Sequence, residues 1–144
     1  MKIKQPQTSV EWESYYDLRW SVLRAPWSQP KGSEKDDMEL SSYHCMVVDN
    51  NEEVVGTGRL QMNSADLAQI RFMAVDLNLH GKGIGKKLLH TLEEEARRMG
   101  AKVVFLQARE LAVAFYVACG YEIIEKTFLL FDTIQHYKIG RAHV

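Results

Sequence analysis

The chain has 144 residues, 46% of them hydrophobic and 26% charged, with a formal net charge of -1. That length and composition fit one folded domain over residues 1–144 around a single core, and a near-neutral chain has no bulk basicity with which to hold nucleic acid or an anionic membrane. Its two cysteines, Cys45 and Cys119, lie far apart without metal-ligand spacing and are read as reduced thiols, so no metal site is expected.

The opening Met1 to Pro6 lacks the apolar stretch of a signal peptide, and no window approaches the roughly 18 apolar residues of a membrane span, so a cytoplasmic location is the expectation. Ile3 seeds a short first strand. Thr8-Ser-Val-Glu11 spells a capping box. A helix is predicted from Val10 to about Leu23, with Trp12, Tyr15, Tyr16, Arg19, Val22 and Leu23 recurring at steps of three and four. Pro26 ends it. Pro26, Pro30 and Gly32 make 25–33 an extended loop that carries Trp27, and 34–40 has room for a helical turn or two.

Tyr43 to Val48, the polar turn 49–52 and Val54 to Met62 read as an antiparallel hairpin. Gly56 and Gly58 mark a bulge or a close backbone approach in its second arm. A strand from Ala68 to Val75 follows, then a polar turn over 76–78 and a glycine-rich loop. The next helix sets Ile84, Leu88, Leu89, Leu92, Ala96 and Met99 on one face, Glu93, Glu94, Glu95, Arg97 and Arg98 on a solvated face, and Gly100 at its C-terminal cap. Lys102 to Gln107 reads as a strand buried on both faces. A helix from Glu110 to Ala118 and final strands over 121–127 and 128–139 complete the chain. Strand, helix, strand around the loop implies a right-handed parallel crossover, and the whole is a mixed α/β sheet with helices on both faces.

The loop after Val75 is where chemistry concentrates. Gly81, Gly83 and Gly85 alternate with Lys82 and Ile84 between a strand and a helix. Glycine permits positive φ and lets an anion approach backbone N–H groups closely. The first turn of a helix leaves four amides unpaired and carries roughly half a positive charge, so the loop is a phosphate cradle, with Lys82, Lys86 and Lys87 adding mobile charge. A nucleoside-triphosphate loop needs glycine where His80 stands and Ser or Thr where Lys87 stands. A dinucleotide fingerprint needs a small residue at Lys86 and an acid about twenty residues on, where the chain reads Val103-Val-Phe-Leu-Gln107. Neither pattern is met.

His80-Gly-Lys-Gly83-Ile-Gly85, after a strand ending in Val75, resembles the pyrophosphate loop of the GNAT superfamily of N-acetyltransferases, whose first position is Gln or Arg where this chain has His80. A second stretch, Ala112-Val-Ala-Phe-Tyr116-Val-Ala-Cys-Gly120-Tyr121, resembles that family's downstream signature at the family's separation. The resemblance covers nearly the whole chain. It implies the acyl-CoA N-acyltransferase fold, a mixed and mostly antiparallel central sheet of about six or seven strands. It also implies acetyl-CoA as donor cosubstrate, a primary amine of a small molecule or a protein as acceptor, and direct attack without a covalent acyl-enzyme.

By the same resemblance, His80, Gly81, Lys82, Gly83, Ile84, Gly85 and Lys86 hold the pyrophosphate, and the backbone of Met73, Ala74 and Val75 receives the pantetheine and the acyl carbonyl. Ala112 and Phe115 line the donor channel. Arg109 stands where relatives carry Asn and is read as binding a coenzyme phosphate or a substrate carboxylate. Tyr116 is the acid that protonates the departing sulfur, since a phenol with pKa near 10 is protonated at pH 7 and can give its proton to a developing thiolate.

A lysine-like amine is only ~10⁻³ neutral at pH 7, so a base is needed. Where many relatives place a glutamate, the chain has Gln69, which leaves Glu110, Glu39 and His136 as candidates, directly or through a water. Arg71, on the same strand, is placed to steer an acidic acceptor. A different reading, a non-catalytic acyl-CoA sensor or scaffold, is motivated by Gln69 and His80, and a general phosphate binder rests on the loop alone. Exposed strand edges near the C-terminus offer pairing between two copies of the chain.

Overall fold

The computed structural model describes residues 1–142. In chain order the elements are β1 (Lys2–Lys4), α1 (Ser9–Leu23), β2 (Tyr43–Val48), β3 (Val54–Met62), β4 (Leu67–Val75), α2 (Ile84–Arg98), β5 (Val103–Arg109), α3 (Val113–Ala118), β6 (Glu122–Leu130) and β7 (Ile134–Ala142), with short 3-10 turns at Ala25–Trp27, Leu77–Leu79 and Glu110–Ala112. The strands form one seven-stranded sheet in the order β1-β2-β3-β4-β5-β7-β6. Only β4 and β5 run parallel; the other pairings are antiparallel, as expected for this mixed sheet. No described helix is long and apolar enough to cross a membrane.

Local signals set the helix starts and stops. The Thr8 hydroxyl accepts from the Glu11 N–H and the Glu11 carboxylate accepts from the Thr8 N–H, both at 3.1 Å, which closes the predicted capping box. Gly100 follows α2 with φ +95, the left-handed conformation that ends helices. The helix α1 packs on β3 and β4 from one side and sets Tyr15 against Met46 and Val48 of β2. From the other side α2 lays Ile84, Leu88, Leu89, Leu92 and Ala96 against Cys45, Val47, Leu60, Ile70, Val104 and Leu106. Close approach explains the two glycines of β3. A Cβ at Gly56 would stand 2.7 Å from Ile84 Cγ2, and one at Gly58 would stand 2.8 Å from Leu92 Cδ1.

Two irregularities in β4 open the site. Thr57 pairs with Ala74 and Arg59 with Arg71, so Phe72 and Met73 together oppose Gly58, and Phe72 takes φ +57. This bulge reverses the alternation of side chains: Ala68 and Ile70 face α2 before it, Met73 and Val75 after it. The β4–β5 register ends at Ile70 and Leu106. Beyond that pair a cleft lies between the C-terminal ends of the two parallel strands.

Several expectations are corrected. Glu93, expected on the solvated face of α2, is 6% exposed; its carboxylate accepts from the Tyr121 hydroxyl at 2.7 Å and pairs with Arg141 at 3.1 Å, because β7 carries Arg141 over that side of the helix. Met99 is exposed, since α2 ends at Arg98 and Met99 leaves the helical course at ψ 0. β5 alternates instead of being buried on both faces: Val104, Leu106 and Ala108 are buried while Phe105 is only half-covered, its ring facing Lys138. α1 reaches β3 and β4 and does not extend over that part of the sheet. The final hairpin turns later than expected, at 131–133, where Phe131 and Asp132 both have positive φ and the Thr133 N–H bonds the Leu130 carbonyl at 3.1 Å. The expected helix from Glu110 begins as a 3-10 turn and becomes α3 at Val113. β6 is the outer edge on which pairing between copies was expected, and it exposes Ile123, Ile124, Phe128 and Leu129.

Candidate active site

The glycine loop is built for an anion. Gly81 and Gly83 both take φ +80, and a Cβ at either would meet nothing within 4 Å, so the space before them is open. Gly83 is the N-cap of α2, with no side-chain cap and no acid in the first turn. Among the described residues no side chain accepts from the N–H groups of Gly81 through Lys86. Lys82, Lys86 and Lys87 are exposed around them. Unspent amides, helix field and mobile cations converge on an open cradle, which fits a diphosphate. His80 is turned back toward the strand: its Nε2 donates to the Val75 carbonyl at 3.3 Å. A contact from His80 Nε2 to a phosphate requires that exposed bond to break.

A cavity of about 350 Å³ occupies the cleft where β4 and β5 part. Tyr116 lines it, 6% exposed, with its ring edge-on to Phe115 at 5.0 Å and to Tyr121 at 5.9 Å. Among the described residues its hydroxyl has no hydrogen-bond partner. Burial pushes the phenol's pKa up, and the charge of Arg109 pulls against that shift. Phe115 links the two parts of the site, since its Cζ lies 3.3 Å from where a Gly85 Cβ would be.

His136 closes the cavity from β7. Its ring stacks on Phe128 with centroids 4.5 Å apart, and Nδ1 lies 3.0 Å from the Ile134 carbonyl. A carbonyl only accepts, so Nδ1 carries the proton and Nε2 keeps its lone pair. Burial lowers the pKa of this imidazole despite the Ile134 bond, and Arg109 and Arg24 lower it further, so the ring is neutral at pH 7.

Arginines dominate the remaining wall. Arg109 stands opposite His136 in the β5–β7 ladder, with its guanidinium 5.7 Å from the Trp27 ring centre. Arg24, at the end of α1, spends Nε on the Ser33 carbonyl and Nη1 on the Leu23 carbonyl, both at 3.0 Å. The bulge residue Phe72 has the guanidiniums of Arg19, Arg71, Arg59 and Arg24 at 4.5, 4.8, 4.9 and 5.8 Å from its ring centre. Behind it, Arg19 and Arg59 are fully buried. Arg19 pairs with Glu39 at 2.8 Å, Arg59 bridges Glu39 and Asp36, and Arg71 reaches Asp36 at 3.0 Å. The Tyr15 hydroxyl accepts from Arg19 at 2.8 Å and donates to His44 Nδ1 at 2.8 Å, because His44 Nε2 donates to the Glu39 carbonyl. Burial opposes ionisation of Asp36, but Arg59, the Met38 N–H and Arg71 outweigh it and hold that carboxyl at about 2.

The sequence model of the Acetyltransferase (GNAT) family matches residues 12–121, from α1 through the glycine loop to Tyr121. The chain belongs to the GNAT acetyltransferase family. An uncharacterized N-acetyltransferase of Bacillus subtilis, YjcF, is 34% identical to this GNAT chain over 118 residues, covering 81% of it and 82% of the relative. An amino-acid acetyltransferase of Mycobacterium tuberculosis is 35% identical over 94 residues, 62% of this chain and 53% of that protein. Among solved structures, an aminoglycoside 6'-N-acetyltransferase complexed with coenzyme A shares the fold, with a TM-score of 0.82 at 16% identity over 100% of this chain and 98% of its own. GNAT proteins transfer acyl groups from coenzyme A donors.

Of the residues the GNAT signatures single out, Met73, Arg109, Ala112 and Tyr116 line the cavity. Val75 and 80–86 form the loop beside it, Phe115 joins loop to cavity, and Ala74 is buried in the ladder against Thr57. Gln69 and Arg71 line the cavity as well. Of the three candidate bases only His136 does. Glu39 is held by Arg19, Arg59 and Tyr16, and Glu110 is exposed with one long contact to the Tyr137 hydroxyl. Arg24, Phe72, Gln107 and Phe128 were not anticipated; tertiary closure brings them in. The only local sign for Arg24 is its place just ahead of Pro26, at the forced end of α1.

Proposed function

We propose that this GNAT protein moves an acetyl group from acetyl-CoA to a primary amine by direct attack. The support is the meeting of an open, uncapped glycine loop with the unspent hydroxyl of the buried Tyr116, joined through Phe115. Acetyl-CoA supplies an activated thioester carbonyl and a thiolate leaving group. The amides of 81–86 hold its diphosphate, and the backbone edge of β4 past Ile70, which has no register partner on β5, receives the pantetheine arm. His136 Nε2 takes the proton that the amine sheds as the carbon–nitrogen bond forms and the carbon–sulfur bond breaks. Tyr116 gives its phenolic proton to the sulfur, Arg109 offsets the charge left on the phenol, and one proton returns from imidazolium to phenolate through solvent.

Two of the comparison proteins name acceptors of different charge, zwitterionic amino acids for one and polycationic aminoglycosides for the other. The test is thiol release from acetyl-CoA across an amine panel, with wild type against Tyr116→Phe. Loss of a positioned acid lowers turnover about 10²–10⁴-fold while coenzyme affinity stays. Equal turnover in the variant removes Tyr116 from this role. Tight coenzyme binding with no thiol release from any amine transfers support to the non-catalytic sensor.

A further inference from the structure

Charge around the cavity is one-sided. Arg24, Arg71, Arg109 and His136 line it, and among the described residues no aspartate or glutamate does. The neighbouring carboxylates are already committed: Asp36 to Arg59 and Arg71, Glu39 to Arg19 and Arg59, and Glu34 to the Gly32 N–H. Five guanidiniums, those of Arg19, Arg24, Arg59, Arg71 and Arg109, therefore meet three carboxylates. Among the described residues Arg109 has no ion pair or hydrogen bond, and Arg24 Nη2 has no partner beside its two spent nitrogens. Burial works against the charge of Arg24, Arg71 and Arg109 alike; at Arg24 repulsion from Arg71 and Arg19 adds to it, while at Arg71 the Asp36 carboxylate opposes it.

Cations that are partly desolvated and unpaired gain most from an oxyanion, whose geometry matches the guanidinium fork. The same field repels an ammonium, which favours the neutral form of an entering amine and so serves the attack. A volume of about 350 Å³ lies at the small end of ligand sites, about 300–1,000 Å³. Resting on the transfer reading of this cavity, we infer that the acceptor is a small amine that also carries an oxyanion, carboxylate or phosphate, gripped by Arg109 and Arg24. Polycationic amines such as polyamines and aminoglycosides are rejected by the same charges.

Matched acceptors distinguish the possibilities: β-alanine against β-alaninamide, phosphoethanolamine against ethanolamine, and spermidine as the polycation. Each is titrated calorimetrically into the protein loaded with coenzyme A, and each is offered with acetyl-CoA for turnover. The oxyanion member of at least one pair binds about tenfold or more tightly than its partner, and which pair shows the larger gap identifies carboxylate or phosphate. Arg109→Gln and Arg24→Gln each shrink that ratio, which is taken within one preparation and is insensitive to the fraction folded. Tyr116→Phe keeps the binding ratio while losing turnover. A ratio near one in both wild-type pairs, tighter binding of spermidine, or a ratio unmoved by both arginine variants overturns the inference. An intact binding ratio without thiol release from any amine upholds the anionic preference and sinks the transfer reading instead.

Discussion

The glycine loop and the arginine cluster behind Phe72 are two ways of keeping positive charge in one molecule. The loop holds it on backbone amides and flexible lysines left in water, where nothing has to be neutralised for the chain to fold. The cluster fixes guanidiniums in the interior, where Arg19 and Arg59 are stable only because Asp36, Glu39 and Tyr15 meet them. The difference suits two uses. A solvated cradle leaves room and positive field for a diphosphate, while a rigid, desolvated array presents guanidiniums at fixed spacing.

The strongest way to break that contrast is Arg59→Leu, which leaves Asp36 and Glu39 short of a partner. Breaking one side of a buried ion network costs about 3–5 kcal/mol, so the urea midpoint falls far while coenzyme affinity of the remaining folded protein is unchanged. Next comes Gly83→Val. A side chain at φ +80 meets no atom, so the penalty is conformational, about 1–2 kcal/mol for a left-handed L residue. Coenzyme affinity by calorimetry drops about tenfold, and the urea midpoint falls by less than in Arg59→Leu. If the two substitutions disturb binding and stability alike, the regions are not separable.

The smallest expected effect is one of pH. Asp36 is held at about 2 in the folded chain, against an ordinary value near 4. A depressed folded pKa contributes stability that is complete above about pH 4 and is lost as pH falls toward 2. Urea midpoints therefore decline across that window. Glu11, held at about 2 by Lys4 and the capping amides, adds to the same decline, so Asp36→Asn removes part of it and no more.

The loop side of the comparison was legible in the sequence and the cluster side was not, for a physical reason. Capping box, hairpin turn, glycine loop and helix-ending glycine are each written within a few residues, and short-range geometry is enough to fix them. The cluster depends on partners from α1, the 34–40 loop, β3 and β4, and Asp36 and Glu39 look like any polar loop until the chain closes. Glu93 was misplaced for the same cause, because Arg141 lies 48 residues downstream. The turn at Phe131 and Asp132 has positive φ without glycine, so no residue type announced it. Tyr116 was readable from its signature, whereas the lone pair on His136 depends on a carbonyl that only the folded hairpin supplies.

Across Gly58, β4 carries one residue more than its partner. That surplus sets a parity for everything downstream. Delete it in thought, and Met73 and Val75 exchange sides with Ala74, the strand delivers the glycine loop toward the wrong surface, and α2 loses its seat against Gly56. The facing of every residue after it, Met73 and Val75 toward α2 and Ala74 away, is kept by a single counted residue.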